Sequence, residues 1–173
     1  MNIPKRFELA KYKDVPNNIT TLFDKIKESR KGIFIHGECG TGKTHIAYAI
    51  AKQSEDVMKL DVRFYNIPDL IRHLKRDFTE ENKFLSDENT NIGKLLNFSG
   101  LLILDDFGTE KLTEWVEESL YMIINRRYEN VYPTIFTSNL SPEKMVEKFG
   151  DRIVSRIIGS CDIVELKGND RRI

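Results

Sequence analysis

Gly37-Glu38-Cys39-Gly40-Thr41-Gly42-Lys43-Thr44 satisfies the pattern G-x-x-x-x-G-K-[ST] at every fixed position. An apolar run, Ile33-Phe34-Ile35, precedes it, and a segment of helical spacing begins near Thr44. That context is what the pattern requires. Glycines let backbone N–H groups turn inward around a phosphate, and the helix N-terminus adds positive potential. Lys43 can then reach the outer phosphates of a nucleotide, and the Thr44 hydroxyl can ligate Mg²⁺. A chance glycine-rich turn has no reason to carry both flanking elements.

A phosphate loop of this kind calls for a second feature, an apolar strand ending in an acid on the metal side. Leu101-Leu102-Ile103-Leu104-Asp105-Asp106 supplies it. Asp105 is the expected metal-side acid. Asp106 is placed to orient or deprotonate an attacking water, as in enzymes that hydrolyse ATP with their own acid rather than with a switch glutamine. Asp-Asp followed by Phe107-Gly108 would also suit a simple strand-end turn. A third apolar run, Pro133-Thr134-Ile135-Phe136-Thr137, ends in Ser138-Asn139-Leu140. Ligands of open α/β sheets bind at the C-terminal strand edge, which makes Asn139 the candidate sensor of water or γ-phosphate. The alternative for Asn139 is a turn residue before a helix cap at Ser141.

Outward from these motifs, runs rich in β-branched and aromatic residues predict strands over residues 32–36, 62–66, 101–105, 134–137 and 162–166. Helical spacing is expected over residues 44–53, 68–78, 113–130 and 142–149, with a further short helix near 92–98. Strands alternating with helices imply an α/β fold, a parallel sheet covered on both faces. In the helix from Thr113, Glu114, Glu117 and Glu118 crowd the start and Arg126 and Arg127 the end, as the macrodipole favours. Ser141-Pro142-Glu143 reads as a helix start and Gly150 as its end.

The 173 residues suit one domain with its own core, and no apolar run approaches the ~20 residues of a bilayer span. Met1-Asn2-Ile3-Pro4-Lys5-Arg6 has no apolar stretch behind it and does not read as a secretory signal, so cytoplasm is the expected compartment. Twenty-seven basic residues balance twenty-seven acidic ones, which excludes holding nucleic acid by bulk charge; any such contact is local or shared among subunits. Cys39 and Cys161 lack metal-ligand spacing, and His36, His45 and His73 lack a partner at i+4. Structural roles suit these histidines, and packing suits Trp115.

Taken together, Gly-Glu-Cys-Gly-Thr-Gly-Lys-Thr-His at 37–45, Leu-Leu-Ile-Leu-Asp-Asp-Phe-Gly at 101–108, Arg-Arg-Tyr at 126–128, Pro-Thr-Ile-Phe-Thr-Ser-Asn-Leu at 133–140 and Asp-Arg-Ile-Val-Ser-Arg-Ile-Ile at 151–158 resemble the AAA+ domain of bacterial DnaC/DnaI helicase loaders. IstB transposition ATPases share most of these motifs. The resemblance implies a P-loop NTPase with a five-stranded parallel sheet, the Asn139 strand lying between the phosphate-loop strand and the Asp105 strand. It implies ATP and Mg²⁺ as cofactors and adds His45 to the nucleotide-binding set. It also implies self-association through AAA+ interfaces, weak and local contact with single-stranded DNA, and a replicative helicase as partner.

By resemblance, residues 151–158 correspond to the family's box VII, whose second arginine, Arg156 here, reaches a neighbouring subunit's ATP. Read from the residues alone, Arg152 and Arg156 form a solvated helix face. Residues 68–98 resemble the extra helix of initiator-type AAA+ proteins, which makes Lys75 and Arg76 candidate DNA contacts, although charges on a helix are usually a solvated face. The segment 4–15, with Arg6 and Phe7, is expected beside the adenine. Arg171 or Arg172 would be a second sensor. No full helical lid is expected after these arginines, and only residues 1–36 precede the loop. The helicase-gripping N-terminal segment therefore reads as absent, whether in a natural short form or an excised domain. Helicase loading onto single-stranded DNA is the first functional expectation, and a transposition helper acting on duplex DNA the alternative.

Overall fold

The computed structural model describes residues 3–78, 90–168 and 170, side chains at 77 and 78 excepted. Five strands form one parallel sheet: β1 (Gly32–His36), β2 (Val62–Asn66), β3 (Leu101–Asp105), β4 (Thr134–Ser138) and β5 (Cys161–Glu165), in the order β2-β3-β4-β1-β5. β4, which leads to Asn139, thus lies between the phosphate-loop strand β1 and the acidic strand β3, in the expected position. Its register pairs Phe34 with Phe136, and Leu104 with Phe136 on the other side. The last strand begins one residue earlier than periodicity suggests. Cys161 is buried, so the core, rather than the polar Asp162, decides where the strand starts.

Alternation in the central strands serves two cores. Phe34, Leu102, Leu104 and Phe136 face one side, where α4 (Ile67–Phe78), α5 (Asn91–Leu96), α6 (Glu114–Glu129) and α7 (Pro142–Ser160) cover them. Ile33, Ile35, Leu101, Ile103 and Ile135 face the other, under α3 (Lys43–Asp56), α1 (Asn17–Asp24) and α2 (Ile26–Ser29). Burying each such side chain is worth roughly 1.5–3 kcal/mol. Intrinsic strand propensity spans only about 1 kcal/mol, so burial on both faces sets these strands. The apolar positions Ile19, Leu22, Phe23 and Ile26 recur at helical spacing, so α1 and α2 had a signal in the sequence that went unread.

Helix ends follow local chemistry. Thr113 caps α6 by accepting from the Val116 N–H, and Ser141 caps α7. Gly150 does end the first part of α7, with φ 72° and ψ 167°, but the chain resumes helical structure to Ser160, beyond the expected stop. A left-handed residue breaks one turn, and Ile153, Val154 and Ile157 then rebury the continuation. Arg126 and Arg127 both occupy the last turn of α6, as expected, but Arg126 is exposed whereas Arg127 is buried, its guanidinium donating to Thr134 Oγ1 and to the carbonyls of Phe98, Gly100 and Pro133. No helix among the described residues is long and apolar enough to cross a membrane.

Candidate functional site

The parallel sheet brings the C-terminal ends of β1, β3 and β4 to one edge, and the loop between β1 and α3 folds over it. Gly40 (φ 82°) and Gly42 (φ 100°) take left-handed conformations that the loop needs and that side chains oppose. Gly42 is also the residue before α3, so the helix dipole opens directly into the loop. Thr41 Oγ1 donates to the Glu38 carbonyl at 2.9 Å, and Lys43 Nζ donates to the carbonyls of Gly37 and Glu38 at 2.8 and 2.7 Å.

Beneath the loop, Thr44 Oγ1 donates to Asp105 Oδ2 at 3.1 Å, and Thr137 Oγ1 donates to Asp105 Oδ1 at 2.6 Å. Asp105 is almost fully buried, and burial holds its carboxyl above the ordinary range; the hydrogen bonds from Thr137 and Thr44 and the charge of Lys43 oppose that rise, while Asp106 adds to it. A buried carboxylate beside a hydroxyl is a hard oxygen donor pair that fits Mg²⁺. Asp106 adopts φ 61°, which is uncommon for a residue with a side chain. Its N–H donates to Thr137 Oγ1 at 3.0 Å, and its Oδ1 accepts from Asn139 Nδ2 at 3.4 Å.

These groups surround a cavity of about 660 Å³. Cys39, Gly40, Gly42, Lys43, Thr44 and His45 line it from the loop and α3, and Asp105, Asp106 and Asn139 from the strand ends. Gly37, Glu38 and Thr41 shape the loop without lining the cavity. Arg6 and Phe7 also line it, and the Phe7 ring stacks on Tyr48 of α3 with centroids 4.6 Å apart. Tyr48 in turn stacks on Phe64 at 4.1 Å. His45 therefore borders the site, whereas His36 lies half-buried at the end of β1, its ring against Phe34 and its pKa lowered by burial.

Arg156 lies away from the cavity, on the second part of α7. It donates through Nε to Asn125 Oδ1 and through Nη1 to the Arg152 carbonyl, and both arginines sit over the Tyr121 ring. Lys75 is exposed on α4 with its ammonium 5.8 Å from the centre of the Trp115 ring, and Arg76 is exposed beside it. Arg171 and Arg172 lie outside the described residues. Sequence reasoning missed three cavity residues. Thr137 was hidden inside a strand motif read for Asn139, Asn66 ends β2 in register with Asp105, and Tyr48 lies one turn beyond Thr44. The last two had a signal, a polar strand end and an i+4 spacing.

The family model described as "IstB-like ATP binding protein" matches residues 13–173. The chain belongs to this family. It is similar to "Replicative helicase loader DnaI" of Bacillus subtilis (strain 168), with 28% identity over 155 residues covering 82% of this chain and 48% of the relative. It is also similar to "Replicative helicase loader DnaC" of Escherichia coli (strain K12), with 26% identity over 125 residues, 70% of this chain and 47% of the relative. The chain thus spans about half the length of the curated relatives it matches. A solved "DnaC helicase loader" superposes with a TM-score of 0.78 at 28% identity, over 95% of this chain and 100% of that one. The AAA+ fold with its ATP-binding P-loop, expected from the motifs, is the fold of this IstB-like family member.

Proposed function

We propose that this domain binds and hydrolyses ATP with Mg²⁺ in a DNA replication protein that helps load the replicative helicase onto single-stranded DNA. One observation carries the enzymatic part: the hydrogen-bonded line Thr44, Asp105, Thr137, Asp106 and Asn139 borders the same cavity as Lys43. Thr44 and Asp105 would hold Mg²⁺, which neutralises phosphate charge when bound. Lys43, within the loop, offers its ammonium to the β- and γ-phosphates. Asn139 and Asp106 orient a water, and Asp106 takes its proton as the water oxygen bonds to the γ-phosphorus and the bond to the β-phosphate oxygen breaks.

Arg156, outside its own subunit's cavity, is suited to act on a neighbour's γ-phosphate, so self-association would complete the site. Similarity to the two helicase loaders supports the replication role, with the helicase held by a part of the protein outside this domain. The match to the IstB-like family supports a second reading, a transposition helper acting on duplex DNA.

The enzymatic reading is tested with a fluorescent ATP analogue and a phosphate-release assay on the parent and Lys43→Ala. The parent should bind with Mg²⁺, and the variant should lose most of that affinity. Equal binding by both would sink the reading.

A further inference from the structure

Thr137 is fully buried on β4, and its one hydroxyl is used twice. It donates to Asp105 Oδ1 at 2.6 Å and accepts the Asp106 N–H at 3.0 Å. That exhausts the single donor a hydroxyl has and one of its lone pairs. The Thr137 carbonyl accepts the Phe107 N–H at 2.8 Å, and the next residue, Ser138, donates from Oγ to the Phe107 carbonyl at 2.6 Å. β4 therefore clamps the chain as it leaves β3 through both backbone and side chain. Among the described residues, however, only the Thr137 hydroxyl hydrogen-bonds to both acids.

The two contacts have different consequences. With Oδ1 held by Thr137, the other oxygen of Asp105 is presented to Thr44, on the side where the metal is expected. With its N–H held, Asp106 is kept at φ 61°, a backbone conformation that disfavours a residue with a side chain and persists only when neighbours enforce it. That backbone turn is what aims the Asp106 carboxylate at Asn139 and into the cavity. A threonine that only filled space would need neither contact, and valine would serve as well.

We propose that Thr137 is a positioning residue that couples the metal-side acid to the water-activating acid, setting both through one hydroxyl. The proposal rests on the ATP-hydrolysis reading above. Because the hydroxyl holds both acids, its loss should lower turnover and Mg²⁺ response together while leaving Mg²⁺-free nucleotide binding to the phosphate loop intact. Partners that orient metal ligands are typically worth about 10–100-fold in metal affinity or activity, and that is the size expected here.

The experiment compares the parent with Thr137→Val, Thr137→Ser and Thr134→Val. Thr134 is also buried on β4 but bonds Arg127 rather than the acids, so its variant reports generic strand damage. Turnover is measured over ATP and Mg²⁺ concentrations, and binding of a non-hydrolysable ATP analogue with Mg²⁺ and with chelator. In Thr137→Val, kcat should fall by about 10–100-fold and the Mg²⁺ requirement should rise, with chelator binding unchanged. Thr137→Ser should recover most of both, and Thr134→Val should lower thermal stability without moving the Mg²⁺ requirement. Parent-like kcat and Mg²⁺ response in Thr137→Val overturn the proposal. Equal losses in the valine and serine variants, or the same Mg²⁺ shift in Thr134→Val, overturn it too. A parent that does not bind or hydrolyse ATP removes the reading of the whole site, which is a separate outcome visible before any variant is made.

Discussion

Replacing Arg127 by Lys, ordinarily a mild change, should be among the more damaging substitutions outside the nucleotide site. Arg127 is 3% exposed and has no carboxylate partner among the described residues; its guanidinium spans Thr134 Oγ1 and the carbonyls of Phe98, Gly100 and Pro133 at 2.7–2.8 Å. Burial lowers its pKa to about 9, so the charge is held at a cost that these acceptors, with the Phe98 and Tyr132 rings beside it, offset. A lysine ammonium is a point donor and cannot reach acceptors on both sides of a planar fork. If two of the carbonyls are left unpaired at about 1–3 kcal/mol each, the loss is roughly 4 kcal/mol. At about 2–4 °C per kcal/mol for a chain of this size, Tm should fall by roughly 8–16 °C. The segments involved lead into β3 and β4, which carry Asp105 and Thr137 at their far ends, so the damage begins at the base of the site. Thermal unfolding followed by circular dichroism measures it, with Arg126→Lys on the exposed face as the control. A drop under about 3 °C for Arg127→Lys, or equal drops for both variants, would refute the reasoning.

Two further outcomes follow from the same structure. Glu110 is buried with Oε2 accepting the Gly108 N–H and Oε1 without a partner among the described residues, and burial raises its pKa above the ordinary 4.5. A raised folded-state value means its contribution is fully present below the unfolded pKa and is lost as pH rises through the folded one. Parent stability should therefore decline more steeply over that interval than that of Glu110→Gln, which keeps only the raised Asp105 carboxyl of the two, and parallel Tm–pH curves would contradict this. Arg156→Ala should bind ATP like the parent but hydrolyse slowly, since an arginine supplied in trans is worth roughly 10³–10⁵ in rate where it has been measured. Mixing it with Asp106→Asn should restore some turnover because one pairing joins an intact Arg156 to a neighbour's intact Asp106, whereas a mixture that stays inactive rules out action in trans.

The phosphate loop, the acidic strand and the order of elements were legible because each rests on residues close in sequence. Backbone N–H groups around a phosphate need glycines at fixed spacing, and a parallel strand buried on both faces needs an unbroken apolar run, so Gly37–Thr44 and Leu101–Asp105 announce themselves. The same logic found the cap at Ser141. What could not be read is whatever depends on two strands lying side by side. Arg126 and Arg127 are identical in the sequence, and only the packing of α6 over the starts of β3 and β4 sends one to solvent and the other among carbonyls. Thr137 looked like one more buried strand residue until β4 was set beside β3, which placed its hydroxyl between Asp105 and Asp106. Local chemistry thus determined which elements form and where phosphate binds. Tertiary structure decided which polar groups meet across the sheet, because hydrogen bonds between distant residues exist only after the apolar faces have fixed the strand order and register.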